Sequence, residues 1–425
     1  MLDLKAIRED PEPYRKAMAR RGAVEELDRT LALDDDRRKL TAQVDDLRAE
    51  QNRGSKEVPS AATTQERQAI IQRLRSVSEA LTSLEPELAR IEDELNEVLT
   101  RLPNVPDEGV PEGETEDDNV EIKRWGELPS FGPGFEPKDH VELGESLGMI
   151  DIDRGVRTSG ARFAYLTGAA VRIQFALVQL ALEFAEARGF APILPPVLVR
   201  EEAMYGTGFF PTDVVNIYAT REDDLYLVGT AEVPLAAFHA HEILEEETLP
   251  RRYLGYSTCF RREAGTYGKD ARGIFRVHQF DKLEMFSFVL PDSSRAEHEQ
   301  FLAFEEEWVQ ALGIPYRVVD TCIGDLGAAA ARKFDIEAWM PGQGRYREIT
   351  STSNTTDFQS RRLEVRVRLS GGNRAVHTVN GTLCAIGRTL IALLENGQRE
   401  DGSVALPDVL RAYLPEPLWI LQPSA

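Results

Sequence analysis

The chain has 425 residues, a formal net charge of -22 and 42% hydrophobic residues, which suits a soluble globular protein with one large core and an accessory unit and argues against nonspecific coating of nucleic acid or membranes. Cys259, Cys322 and Cys384 lie far apart and form no CxxC pair, so neither a zinc ribbon nor a disulfide framework is expected and a reducing cytoplasm fits best. The start MLDLKAIREDPEPY lacks the basic end and apolar run of a signal peptide, and the most apolar stretch, AAVRIQFALVQLALEFAEARGF, is interrupted by Arg172, Gln174, Gln179 and Glu183, so no membrane span is expected.

In chain order, the first pattern is a seam of Leu74, Val77, Leu81, Leu84, Leu88, Ile91, Leu95, Val98 and Leu102, in steps of three and four that predict a coiled-coil helix. Leu33, Leu40, Val44 and Leu47 predict an antiparallel partner, joined to it through NRGSKEVPSAATT. A helical arm over residues 1–105 is the expectation, bent where Pro86 removes a backbone donor. Between residues 37 and 75, nine basic residues (Arg37, Arg38, Lys39, Arg48, Arg53, Lys56, Arg67, Arg73 and Arg75) stand against five acids. Such a mixture either solvates a coiled coil or contacts phosphate.

Residues 106–128, rich in proline, glycine and acid, have no apolar period and are expected to be a linker. From residue 129 to 425, helical patterns alternate with strand-like runs, among them DLYLVGT, RRYLGYSTCF, YRVVDTCI and LEVRVRLS, the last with Val365 and Val367 alternating with Arg366 and Arg368. The expected class is α+β, an antiparallel sheet with helices packed on it.

There is no GxxxxGK[ST] loop and no GxGxxG after a strand, so any ATP must be held by side chains. Arginine suits that task, since its planar fork grips phosphate oxygens in pairs. Arg261, Arg262, Arg272 and Arg276 occur where YSTCFRRE and FRVHQFDKLEMF predict two strands joined by a glycine-rich loop. Phe275 and Phe280 are either core residues or a platform for a base, and His278 reads as a packed or hydrogen-bonded histidine. In GRYREITSTSNTTDFQSRR, Glu348 with Thr350, Ser351, Thr352 and Ser353 offers hard oxygen ligands for Mg2+, or simply a polar strand end. In HTVNGTLCAIGRTLIALLEN, Arg388 near a helix start either packs a strand-to-helix junction or points at an anion. Arginines and a metal-ligand pair without a Ser-His-Asp or Cys-His arrangement favour charge neutralisation over nucleophilic catalysis.

These segments resemble one family. FRREAGTYGKDARGIFRVHQFDKLEMF resembles motif 2 of class II aminoacyl-tRNA synthetases in its seryl form, and NGTLCAIGRTLIALLEN resembles motif 3. GFAPILPPVLVREEAMYGTGFFP, with Pro196, is similar to the dimer-forming motif 1, and VGTAEVPL to the serine-binding TxE signature. The whole chain resembles the bacterial seryl-tRNA synthetase plan of helical arm and catalytic domain.

That resemblance implies roles by position. Arg261 would hold the α-phosphate, with Arg262 beside it and Glu263 as a polar contact to the nucleotide. Phe280 would stack on adenine, and Arg388 would grip the γ-phosphate. Glu348, Ile349, Thr350 and Ser351 would flank the ATP, Glu348 and Ser351 binding Mg2+. Thr230, Ala231, Glu232, Arg261, Glu284 and Thr382 would surround L-serine. Thr382 stands where the family commonly has serine, and Thr350 likewise. The implied partners are L-serine, ATP, tRNA(Ser), tRNA(Sec) where the cell has one, and a second copy of the chain in a homodimer. The arm would grip the long variable arm of the tRNA. One rival is a synthetase-like ligase that loads a carrier protein, which would have no use for the arm. The other is a noncatalytic nucleotide-binding regulator, which would be expected to lose Arg261, Arg388 or Glu348.

Overall fold

Two long helices realise the leucine spacing of the first hundred residues, α1 at Val24–Glu57 and α2 at Thr64–Arg101. The structure, a computed structural model, describes residues 1–424 apart from 266, 267, 269 and 271. With the short helices Leu4–Glu9 and Pro11–Arg20, α1 and α2 form a first unit, Met1–Pro103, and Asn104–Ala425 form a second.

Within the first unit the long helices run antiparallel. Arg29 meets Glu94, Arg48 meets Glu85, and Arg73 meets Glu50 and Glu57. Val44, Val77 and Leu81 are buried between them, flanked by Leu47, Leu84 and Leu88. The connection is shorter than NRGSKEVPSAATT suggested: α1 continues to Glu57, through Gly54, and only a 3-10 turn, Val58–Ser60, and three further residues precede α2. Packing explains this, since a Cβ on Gly54 would stand 2.6 Å from Leu74 Cδ2, so glycine lets the helices close up where propensity alone would end one. Thr63 opens α2 with a capping box, its hydroxyl accepting from the Glu66 amide while Glu66 accepts from the Thr63 amide. Helix α2 is unbroken through Pro86, which lies on its exposed face.

The second unit is built on an eight-stranded sheet. Its strands in chain order are β1 (Val120–Trp125), β2 (Ala191–Ile193), β3 (Arg251–Phe260), β4 (Gln279–Val289), β5 (Tyr316–Asp320), β6 (Arg332–Met340), β7 (Arg345–Thr356) and β8 (His377–Ala385). Across the sheet they run β1-β5-β6-β7-β8-β4-β3-β2, antiparallel except for the parallel β2–β3 pair.

Residues 106–128 are therefore no linker. β1 pairs with β5, Val110 is buried, and the Asn104 amide donates to the carbonyls of Ala329 and Thr355. The strand shows no apolar period because it is an edge exposed along its whole length, held by backbone pairing. LEVRVRLS is also a strand, Arg366–Leu369, but in a separate three-stranded sheet with Ile243–Glu245 and Gly372–Ala375.

Three helices, α3 (Ala169–Glu186), α4 (Ser294–Ala311) and α5 (Ile386–Gly397), supply apolar side chains to the large core that includes Leu283, Met285, Ile336, Val379 and Leu383 of the sheet. Residues alternate in direction along a strand. Leu283 and Met285 therefore face this core, while Phe286 and Phe288 join a second cluster with Ala231, Leu235, Val365 and Val367 on the opposite, open face. Lys282 and Glu284 share the parity of that open face.

Candidate active site

The open face of β4, β7 and β8 is polar where its neighbours are apolar. Lys282 and Glu284, Ser351, Ser353 and Thr355, and Asn380 and Thr382 line a cleft of about 460 Å³ with Thr230, Glu232, Arg261 and Glu348. A narrower recess adjoins it, lined by Arg261, Glu263, Phe275, Phe280, Ile349 and Arg388. Glu348 reaches the cleft through a bulge. β6 and β7 pair Ile336 with Thr350 but Glu337 with Glu348, leaving Ile349 as the extra residue, so Glu348 and Ser351 face the same way despite their odd spacing.

One end of the cleft is built from carboxylates and hydroxyls. Thr230 donates to Glu284 at 3.3 Å and accepts from the Glu232 amide at 3.2 Å. The Glu232 carboxylate accepts from Gln359 at 2.6 Å and from Asn380 at 2.9 Å, both on Oε1. Burial, and secondly the neighbouring Glu284 carboxylate, push the Glu232 carboxyl up to about 7 against the Gln359 donor and the charges of Lys282 and Arg261. The buried Lys282 is ion-paired with Glu284 and donates to Thr382 at 3.4 Å. A site of this kind offers acceptors for an ammonium and for a hydroxyl in a volume suited to a small amino acid.

The other end is cationic. Arg261 follows β3 and is held by its Nε to the Gly229 carbonyl at 3.1 Å, its guanidinium 5.3 Å from the centre of the Phe280 ring. Arg388, in the first turn of α5, donates to the Glu348 carbonyl at 3.0 Å and meets its carboxylate at 3.1 Å. Burial opposes the charge on Glu348, but Arg388, Lys333 and Arg261 overcome it and hold its carboxyl at about 2. Phe275 is buried with two guanidinium groups over its ring, Arg347 at 3.7 Å and Arg388 at 4.6 Å from its centre. Phe280, half-buried, lines the recess itself.

Beyond Arg261 the chain leaves the sheet. Glu263 and Asp270 hold left-handed backbone, φ 49° and 46°, a conformation non-glycine residues keep where contacts fix it. Glu263 is paired with Arg276 at 2.7 Å, and Asp270 with Arg347 at 2.6 Å. Arg262 is anchored by its amide to the Asn216 carbonyl, and Arg272 lies 3.6 Å from Asp139. The strand predicted from Phe275 begins only at Gln279, because Phe275 turns into the core. His278 donates locally, from Nδ1 to the Arg261 carbonyl at 2.9 Å.

Most of the residues given a site role by the resemblance meet in this cleft and recess; Arg262, Thr350 and Ala231 do not line either. Thr350 points to the helix side and donates to the buried Glu305 at 3.0 Å, and Ala231 is buried in the second apolar cluster. Among the contributors that went unread are Lys282, Asn380, Gln359 and Arg347. The first two were within reach, since the alternation of KLEMF and VNGTL assigns Lys282 the parity of Glu284 and Asn380 that of Thr382. Gln359 and Arg347 carry no such signal. Another support is Arg362, buried between Tyr205 and Phe358, which donates to the carbonyls of Tyr205 and Phe210 on either side of cleft-lining residues Thr207, Gly208 and Phe209. Burial pushes the Cys259 and Cys384 thiols up to about 11 and about 12, so neither is a nucleophile at neutral pH.

The residues fit a divalent cation held mainly by its substrate. Glu348 is ionised and Ser351 adds a hydroxyl on the same face, while among the described residues no group of three or more His, Cys, Asp or Glu is arranged to hold a metal. Mg2+ needs few protein ligands when phosphates supply others. Across from Ser351, burial pushes Asp335 up to about 6, against the Lys333 ammonium 2.9 Å away.

Comparison with known proteins agrees with this layout. The family described as seryl-tRNA synthetase N-terminal domain matches residues 1–106, and the tRNA synthetase class II core domain (G, H, P, S and T) matches 215–397. The serine-tRNA ligase of Thermobifida fusca (strain YX) is 50% identical over 416 residues, 97% of each chain, and that of Leifsonia xyli subsp. xyli is 49% identical over 425 residues, 100% of this chain and 99% of its own. Seryl-tRNA synthetase from Pyrococcus horikoshii, solved with ATP, superimposes with a TM-score of 0.93 at 40% identity, covering 100% of both chains. No described helix is long and apolar enough to cross a membrane.

Proposed function

This chain belongs to the seryl-tRNA synthetase family, whose activity, ATP-driven ligation of serine to tRNA, it shares, and on that premise we propose how its own residues divide the work. The observation that carries the reading is the single cleft that joins Thr230, Glu232, Glu284 and Thr382 at one end to Arg261, Glu348 and Ser351 at the other.

L-serine binds with its ammonium on Glu232 and Thr230 and its hydroxyl between Glu284 and Thr382. Its carboxylate, already an anion, is turned toward Arg261 and the α-phosphate of ATP. An oxygen–phosphorus bond forms there as the bond to the β-phosphate oxygen breaks and pyrophosphate leaves. No general base is needed. Orientation and charge neutralisation are the catalytic demands, and Arg261 and Arg388 meet them. Phe280 offers a face to adenine, and Glu263 and Arg262 a polar edge. Glu348 and Ser351 would hold Mg2+, which when bound neutralises charge on the phosphate oxygens. In the second step a 3′-terminal ribose hydroxyl of tRNA(Ser) attacks the adenylate carbonyl, giving seryl-tRNA and AMP. Where a cell has tRNA(Sec), the same shape-based grip extends to it.

The arm supports a tRNA acceptor over a carrier protein. Of its nine basic residues between 37 and 75, Arg38, Arg53, Lys56 and Arg67 are exposed and have no acidic partner among the described residues. A homodimer is supported by apolar side chains left in solvent on and beside the motif 1 segment, Leu194 at 79% and Phe175 at 60% exposure. A cytoplasmic location follows from the tRNA substrate.

Amino-acid-dependent exchange of pyrophosphate into ATP, run with serine, alanine, threonine and glycine, tests the reading. Exchange with serine well above the others is expected, because a pocket that bonds a hydroxyl is left with unpaired groups by alanine. No exchange with serine would overturn it.

A further inference from the structure

We propose that Gln359 is a positioning residue for serine recognition: its buried amide orients the Glu232 carboxylate and sustains it as the anion that receives the substrate ammonium. The inference rests on the role given to Glu232 above and goes beyond it, to a residue outside the cleft.

Gln359 belongs to the short helix Phe358–Arg362 and is wholly buried. Every polar capacity of its side chain is engaged. Nε2 donates to Glu232 Oε1 at 2.6 Å and to the Thr207 carbonyl at 3.3 Å. Oε1 accepts from the Thr378 hydroxyl at 2.9 Å and lies 3.4 Å from that of Thr355. The two threonine hydroxyls fix which way the amide faces, because a flipped amide would set its oxygen against the carboxylate. Asn380 donates to the same Oε1 of Glu232 at 2.9 Å. With both amides on Oε1, the carboxylate is clamped along one edge and Oε2 carries no hydrogen bond among the described residues.

This clamp answers an electrostatic difficulty. A site for an ammonium needs carboxylates, yet Glu232 lies close to Glu284 in a half-enclosed place, where that second carboxylate disfavours its ionisation. The charged groups that face Glu232 are Glu284 and Lys282 from β4 and Arg261 after β3. Lys282 is committed to Glu284. A neutral amide donor favours the anion without adding a cation that would compete with the substrate. Among the influences that oppose protonation of Glu232, the Gln359 hydrogen bond is the largest.

The test measures pyrophosphate exchange between pH 6.5 and 8.5 in the full-length protein carrying Gln359→Leu, and separately Thr378→Val, which removes the hydroxyl that orients the amide. Gln359→Leu should raise the KM for serine at least tenfold at pH 7, with the excess over wild type shrinking to under threefold at pH 8.5, and leave the KM for ATP within twofold. Thr378→Val, a near-isosteric change, should show the same trend at smaller amplitude, about threefold at pH 7. A serine KM within twofold of wild type in both variants overturns the proposal, as does a rise that is equal at every pH, which would mark a packing defect. Glu232→Gln is measured alongside. If it leaves the serine KM unchanged, the role of Glu232 itself fails; if it raises the KM while the other two variants do not, only the role of Gln359 fails.

Discussion

Glu348 and Ser351 stand three residues apart on one strand and yet face the same cleft, because Ile349 is the extra residue of a bulge opposite Ile336 and Glu337. If this pair holds the cation that accompanies ATP, Glu348→Gln should raise the Mg2+ concentration for half-maximal pyrophosphate exchange by roughly tenfold or more, since it removes the charged ligand. Ser351→Ala, which removes a neutral one, should raise it only a few-fold. Magnesium titrations of the exchange rate check both, and equal responses would count against the pairing.

Arg388 touches Glu348 twice and lies over Phe275. Lysine cannot reproduce a planar fork that also stacks. Arg388→Lys should therefore lower the exchange rate about a hundredfold, about 2.7 kcal/mol of transition-state stabilisation, and raise the KM for ATP, leaving the KM for serine within about threefold. Steady-state exchange kinetics with each substrate varied would show this.

The carboxyl of Glu232 titrates in the working range, at about 7 in the free protein. The sign follows from the charge required: if serine's ammonium binds the Glu232 anion, as proposed above, that anion is lost as pH falls through 7. The kcat/KM for serine should fall below pH 7 with a slope approaching tenfold per pH unit, while the KM for ATP follows no such profile. Exchange measured from pH 5.5 to 8.5 with serine subsaturating checks the slope.

On the arm, Arg53 and Arg67 lack acidic partners among the described residues, whereas Arg48 is paired with Glu85 at 2.7 Å. Arg53→Glu with Arg67→Glu should raise the KM for tRNA at least tenfold and flatten its dependence on salt by about one unit of log slope for each phosphate no longer neutralised. Arg48→Glu should also weaken charging, but less, since that guanidinium is already engaged. Serine-dependent exchange should be unaffected in both proteins. Aminoacylation at 50 and 200 mM salt distinguishes a phosphate-binding surface from a merely solvated one, for which charging would not change.

The sequence was most legible where one period governs one element. The leucine seam predicted α2, and the alternation of Val365 and Val367 with Arg366 and Arg368 predicted the strand found at Arg366–Leu369. It was least legible where structure depends on distant pairing. β1 looks like a linker because nothing in VEIKRW reveals that Tyr316–Asp320 will lie beside it. The bulge at Ile349 has no sequence mark, so Thr350 and Ser351 looked equally available until register turned one to Glu305 and the other to the cleft. Motif positions located the first ring of site residues, but Gln359 and Arg347 belong to the site only through side-chain contacts that no spacing encodes.

The same edge strand has a consequence for how the protein is made. β1 is synthesised roughly 190 residues before its neighbour β5, a separation of about 10 to 40 s at ordinary elongation rates. During that interval its amides and carbonyls are unpaired, the condition in which nascent strands find the wrong partner. Glu121, Lys123 and Arg124 give the waiting segment charge of both signs, and in the finished fold Lys123 and Glu121 are taken up by Glu306 and Arg317. A stretch with no apolar period is thus suited to a strand that must stay soluble first and pair last.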